Sequence, residues 1–227
     1  MHLRFFVPLQ ARLSHLLHAA LLCVAVLPVV QAQTHTAPTQ EQLQERLQEA
    51  KANPELEQQL YKLGRKVAAV CANCHADHSG EAILEVPYLS GQNPAYLVEQ
   101  VRQFSQGIRK NTFMEGILKA LNRDEMVGMV LFYEKEKLPA RPAKDLALLN
   151  QGQAYYQRVC INCHGADGHG NERLPRIAGQ HMGYVELTLK RYRGGSSVRT
   201  DPNMLFVTKT MTDTEIKAVA AYLETMP

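Results

Sequence analysis

Two short segments carry the same reactive side chains in the same order: Cys71-Ala72-Asn73-Cys74-His75 and Cys160-Ile161-Asn162-Cys163-His164. Thiols spaced in this way can add to the two vinyl groups of one porphyrin, and the adjacent histidine then lies where it can ligate the iron. That is the chemistry of covalent haem attachment, and here the motif occurs twice. Two other uses of paired thiols fit less well. A zinc site built from all four cysteines would have to bridge the 85 residues between Cys74 and Cys160, and it would leave both histidines unexplained. A redox-active dithiol wants a βαβ setting, which this sequence lacks.

With Cys71, Cys74, Cys160 and Cys163 committed, methionine and histidine remain as candidates for the opposite face of each iron. Met114 lies 39 residues after His75, and Met204 lies 40 after His164. Both fall outside the clear helical stripes, and their matched positions make them the leading pair. Ordinary apolar packing is the competing assignment and stays open at this point. Met126 and Met129 sit on a helical stripe and read as core. Met211 aligns with Leu121, so a hydrophobe suffices there. His78 and His169 follow their motifs too closely to swing to the far face and read as solvated loop residues. His181 has Asn93 as its counterpart, which implies no shared role.

The elements that must position these residues also repeat. Asn53-Pro54 caps and opens a helix. Leu56, Leu60, Leu63, Val67 and Val70 follow at helical spacing, leading into the first pentad. Pro87-Tyr88-Leu89-Ser90-Gly91-Gln92 matches Pro175-Arg176-Ile177-Ala178-Gly179-Gln180, and Tyr96-Leu97 matches Tyr184-Val185. Each copy continues with an amphipathic helix ending near glycine, at Gly107 and at Gly194-Gly195. Each closes with a capping box, Asn122-x-x-Glu125 or Thr212-x-x-Glu215. Offsets between the copies stay between 88 and 90, a drift that short loop insertions explain. No run alternates apolar and polar residues as a strand would, so the fold is expected to be all-α.

The ends and the joint complete the division. Residues 1–32 read as an export signal: Arg4 and Arg12 form the basic start, Leu16 to Val30 is mostly apolar, and cleavage is expected after Ala32. His15, His18 and Pro28 interrupt that run, which is shorter than the ~20 residues of a membrane-spanning helix. Cys23 would leave with the signal. Residues 33–53 form a polar extension in which Leu43 and Leu47 suggest a marginal helix with little to bury. The first domain is expected over 54–138, a charged, proline-bearing linker over 139–147, and the second domain over 148–227.

Composition narrows the function classes. The 227 residues include 45% hydrophobic and 21% charged side chains, an ordinary globular balance, but few aromatics and no Trp. Two domains of this size have thin cores, and a large buried ligand would complete them. The net charge is +3, and removing Arg4 and Arg12 lowers it to +1. A protein that neutralises phosphates would show a stronger basic excess, so no nucleic-acid partner is expected. Lys190-Arg191-Tyr192-Arg193 and Arg199 form a local basic cluster, read either as a docking patch for an acidic redox partner or as a solvated face.

The two pentads, the duplicated Pro-x-x-[Ser/Ala]-Gly-Gln segments with their following Tyr, and the pair Met114 and Met204 together resemble tandem class I cytochrome c domains. The match is to the di-haem cytochrome c4 family, over about residues 54–227. The resemblance implies two covalently bound haem c groups, each wrapped by one domain. His75 and His164 would be proximal iron ligands, Met114 and Met204 distal ones. Pro87 and Pro175 would offer the carbonyl that accepts a hydrogen bond from the proximal histidine, orienting it and raising its basicity. It also implies a periplasmic or membrane-associated electron carrier, not an enzyme. Its partners would be a redox donor and acceptor, with a terminal oxidase as the expected destination. The first pentad is followed by His75-Ala76-Asp77-His78-Ser79-Gly80, where the second has His164-Gly165-Ala166-Asp167-Gly168. The two haem edges are therefore expected to differ. The alternative function is an enzyme or an enzyme's partner: the cytochrome subunit of a periplasmic dehydrogenase, a di-haem peroxidase or a thiosulfate-oxidising cytochrome.

Overall fold

The computed structural model describes residues 37–75, 83, 85–138, 141–196, 198 and 200–227. The export segment with Ala32 and Cys23, the loop carrying His78, and Arg199 lie outside the described residues. Helix is the only regular element among them. In the first half these are α1 (Gln40–Ala52), α2 (Pro54–His75), α3 (Pro94–Ser105), α4 (Thr112–Lys119) and α5 (Arg123–Lys135). In the second half α6 (Leu146–Tyr155) runs through a π-helical turn (Tyr156–Cys160) into α7 (Ile161–His164). Then come α8 (Met182–Arg193), α9 (Pro202–Thr208) and α10 (Asp213–Thr225).

Local chemistry accounts for the helix ends. The Asn53 side chain accepts hydrogen bonds from the Glu55 and Leu56 amides ahead of α2. Both capping boxes form: Asn122 with Glu125 opens α5, and Thr212 with Glu215 opens α10. The helix that leads into each pentad crosses the last helix of its half at small residues. A Cβ on Gly64 would overlap the carbonyl of Gly128, and one on Gly152 would overlap that of Ala218. The stripe read for α2 is correspondingly shifted. Leu60, Gly64 and Ala68 are buried, while Val70 is 67% exposed. Close approach of two backbones selects glycine and alanine over the bulkier apolar residues, and hydropathy alone does not mark that.

The polar extension differs from its sequence reading. Thr39 caps α1, and Leu43, Leu47 and Ala50 are buried in the first core together with residues of α2, α3 and α5. Arg46 holds Asp124 at the start of α5 through two hydrogen bonds of 2.8 and 2.9 Å. Lys51 pairs with Glu134 at 2.7 Å. α1 therefore belongs to the first half. The second core is built from α6 to α10 and has no counterpart of α1 among the described residues. Leu146 and Ala147, read as the end of the linker, already belong to α6.

One insertion is not in a loop. Gly64 and Gly152 occupy the two helix crossings and are 88 residues apart, whereas Cys71 and Cys160 are 89 apart. The extra residue falls within the helix, where the π turn at Tyr156–Cys160 accommodates it. The Tyr156 side chain is fully buried there, and its hydroxyl donates to the Gly165 carbonyl at 2.6 Å.

Candidate functional site

Each pentad histidine ends a helix and points into its own half. His75 is 8% exposed and His164 7%. The Nδ1 of His75 is 2.8 Å from the Pro87 carbonyl oxygen, and that of His164 is 3.1 Å from the Pro175 oxygen. A carbonyl can only accept, so Nδ1 carries the proton and Nε2 is left as the basic nitrogen. Burial pushes both imidazoles below the ordinary histidine value, with the proline carbonyls opposing it. A neutral imidazole is the form that binds a metal. The surroundings differ in sign, because the Arg109 charge lowers His75 further while Asp201 opposes the shift at His164.

Met114 and Met204 lie on short helices that the sequence reading did not find. Each methionine amide donates at 3.0 Å to the side chain that caps its helix, Asn111 for Met114 and Asp201 for Met204. Both side chains are partly buried against the core of their own half. α4 and α9 were missed because each is no longer than eight residues, too short for a periodic stripe. Asn111 and Asp201, three residues before each methionine, were the available signal. Met126, Met129 and Met211 are buried in the cores.

The cysteines and their surroundings fit a haem. All four pentad thiols are free, with Cys71 and Cys160 half-buried and Cys74 and Cys163 exposed. Burial raises the Cys71 thiol and pushes Cys160 up to about 12, so both are held protonated. The exposed apolar side chains Val70, Phe113 and Phe206 flank a pentad or a candidate methionine. Tyr133, within electrostatic reach of Cys71, has a buried hydroxyl with no hydrogen-bond partner among the described residues. Uncovered apolar side chains and an unpaired buried hydroxyl beside free thiols suit a large apolar ring with polar edges.

The Gly-Gln segments join the two halves. Gly91 and Gly179 take φ of 68° and 73°, a left-handed turn that favours glycine. Their amides donate to the ends of α5 and α10, at Tyr133 O (2.8 Å) and Leu223 O (2.9 Å). The glutamine that follows each turn reaches into the opposite half. Gln92 accepts from Arg176 N at 2.8 Å and donates to Arg176 O at 2.9 Å. Gln180 accepts from Tyr88 N at 2.9 Å and donates to Tyr88 O at 3.0 Å. Beyond them, Asn93 donates to Leu174 O and His181 to Val86 O, each at 2.7 Å. Asn93 and His181 therefore share a role that their differing types concealed, since both are donors aimed at equivalent carbonyls.

His181 makes this junction sensitive to acid. It is 4% exposed, and its Nδ1 accepts from the Tyr184 amide at 3.1 Å while Nε2–H donates to Val86. Burial lowers its pKa and Arg141 adds to that, while the Val86 carbonyl and Glu224 oppose it; the Tyr88 and Tyr184 rings lie against it. As pH falls through the ordinary histidine range, the unfolded chain takes up a proton that the folded chain resists. Stability is thus fully present above that range and falls below it. Losing the Tyr184 bond costs about 1 kcal/mol, or roughly 2–4 °C in Tm. His181→Asn, which installs the residue found at position 93, is expected to remove this part of the acid sensitivity in thermal melts of the holoprotein at about pH 7.5 and 5.5. An unchanged difference between those melts would assign the sensitivity elsewhere.

The basic cluster is less available than its sequence suggested. Arg191 pairs with Glu85 of the first half at 2.8 Å, Arg193 with Asp213 at 2.6 Å, and Lys190 with Glu186 at 3.6 Å. Among the described residues, Lys190, Arg191 and Arg193 are each matched by a carboxylate of the chain, which favours the solvated-face reading.

The chain is similar to known cytochromes. The family model for cytochrome c matches residues 149–227. The thiosulfate dehydrogenase electron acceptor of Thiomonas intermedia (strain K12) is 33% identical over 174 residues, covering 70% of this chain and 80% of that protein. Cytochrome c4 of Thiocapsa roseopersicina is 31% identical over 173 residues, covering 70% of this chain and 88% of that one. Among solved structures, reduced recombinant cytochrome c4 from Pseudomonas stutzeri superposes with a TM-score of 0.64 at 26% identity, covering 73% of this chain and 98% of its own.

Proposed function

The chain belongs to the di-haem cytochrome c4 family of electron carriers, with two covalently held haem c groups, and from that premise we propose that it passes single electrons between periplasmic partners of a respiratory chain, toward a terminal oxidase. Cys71 and Cys74 would hold one haem and Cys160 and Cys163 the other. His75 with Met114, and His164 with Met204, would be the axial ligands. The observation that carries this reading is the duplicated geometry: a buried imidazole bonded to a proline carbonyl, and a methionine pinned by an N-cap side chain, in each half.

Bound haem supplies a one-electron iron couple, and methionine ligation sets it at the high-potential end. The protein's part is to hold each imidazole neutral and oriented, to keep the buried Cys71 and Cys160 thiols protonated until they are attached, and to keep the methionine helix in place. No helix among the described residues is long and apolar enough to cross a membrane. The likeness to the Thiomonas electron acceptor favours a second donor, a periplasmic thiosulfate dehydrogenase, for the same carrier chemistry.

Carbon monoxide tests the ligand assignment. The absorption spectrum of the reduced, unsubstituted holoprotein is expected to be unchanged by the gas, because both irons are capped. Met204→Ala is expected to give a carbon monoxide shift from one of the two haems, and Met114→Ala from the other. A shift in the unsubstituted protein would overturn the carrier reading and direct attention to peroxidase or sulfur-oxidising activity. Reduction by thiosulfate in the presence of a thiosulfate dehydrogenase would support the second donor.

A further inference from the structure

Gln92 and Gln180 do more than close the interface. The Pro175 carbonyl, which faces His164 Nδ1, belongs to the same rigid peptide unit as the Arg176 N–H, which donates to Gln92 Oε1 at 2.8 Å. In the other half, the Pro87 carbonyl facing His75 Nδ1 shares its peptide unit with the Tyr88 N–H, which donates to Gln180 Oε1 at 2.9 Å. Each imidazole is thus joined through one peptide group to a glutamine of the opposite half. The second bond of each glutamine, from Nε2 to the Arg176 or Tyr88 carbonyl, settles which way the amide faces. Gln92 Oε1 accepts in addition from Asn93 N at 2.9 Å, and Gln180 Oε1 from His181 N at 3.3 Å. Both glutamines are 8% exposed, so water competes little for these groups.

We propose that Gln92 and Gln180 are positioning residues acting in trans: the glutamine of each half polarises the peptide unit that receives the other half's proximal-histidine hydrogen bond, and so sets the basicity of that histidine. The proposal rests on the assignment of His75 and His164 as iron ligands. A hydrogen bond accepted from the N–H end of a peptide strengthens its carbonyl as an acceptor. A stronger acceptor draws the Nδ1 proton and makes the imidazole a more basic ligand. More basic ligation favours the oxidised iron and lowers its potential. Removing the glutamine acceptor therefore raises the potential of the haem in the opposite half.

The test is a redox titration of the holoprotein followed by nuclear magnetic resonance, with the ε-methyl signals of Met114 and Met204 each reporting on their own haem. Gln92→Met keeps the shape and removes both bonds to Arg176 together with the one accepted from Asn93 N. It is expected to raise the potential of the second-half haem by about threefold in its one-electron equilibrium, roughly 28 mV, with the first-half haem unmoved. Gln180→Met is expected to do the reverse. Gln92→Glu keeps a stronger acceptor toward Arg176 N–H, so it is expected to move the second-half haem downward, and it serves as well if the methionine variant does not fold. A simple packing role would move the haem in both variants the same way. A shift confined to the substituted half, an equal shift of both haems, or none in either overturns the proposal. Failure of the ligand assignment is separately visible in the unsubstituted protein, where the Met114 or Met204 methyl would not respond to its iron.

Discussion

Replacing both Cys160 and Cys163 by serine is expected to yield a protein with one haem, folded in its first half and unfolded in its second. The second core draws on Tyr155, Tyr156, Val185, Leu189, Met211, Ile216, Val219, Leu223 and Met226, and nothing among the described residues corresponds to α1. Met204, Val159 and Cys160 are only partly buried against it. Phe206 is 80% exposed. An attached haem would cover such surfaces, which would link haem binding to folding of this half. The first half has more of its own. Leu43, Leu47 and Ala50 pad its core, and Arg46 with Asp124 and Lys51 with Glu134 tie α1 to α5. The matched Cys71→Ser/Cys74→Ser protein is therefore expected to lose one haem but keep more helix. Haem per chain, far-ultraviolet circular dichroism and limited proteolysis would check both. A second half that stayed protected from protease without its haem would sink the idea.

Gly64→Ala is expected to destabilise the holoprotein by about 3 kcal/mol, near the upper end for overpacking. The new methyl would overlap the Gly128 backbone carbonyl, and backbone cannot rotate away as a side chain can. Relief requires moving α2 away from α5, which also moves His75 at the end of α2. Gly152→Ala makes the same overlap with the Ala218 carbonyl in the second half and is expected to behave alike. The expected fall in Tm is roughly 6–12 °C. Gly116→Ala on α4 is the control, since its Cβ would meet nothing within 4 Å. Helix propensity alone predicts a gain there of up to about 1 kcal/mol. A Gly64→Ala loss no larger than the effect of the control would mean that α2 and α5 are not held together at this crossing.

What could be read before the structure was what short-range spacing encodes. The pentads, the capping boxes at Asn122 and Thr212 and the proline-opened α2 depend on residues within a few positions of one another, and the repeat is the recurrence of such short patterns along the chain. The all-helical fold and the c4 family followed from them, because local pattern and duplicated motif are independent of how the chain later folds back. The assignments of Met126, Met129 and Met211 to the cores likewise came from periodicity and alignment of the copies.

Tertiary structure decided the rest, because those features arise between segments far apart in sequence. α1 looked polar, yet Leu43 and Leu47 are buried in a core shared with α2, α3 and α5. Gly64 and Gly152 carry no hydropathy signal, and only the crossing with α5 or α10 gives them meaning. The single inserted residue before the second pentad reads as loop drift until the π turn shows it inside a helix. Asn93 and His181 look unrelated as residue types, but each presents an N–H to an equivalent carbonyl across the interface. A hydrogen bond recognises donor and acceptor positions in space, and a sequence records only the identity of the side chain that supplies them.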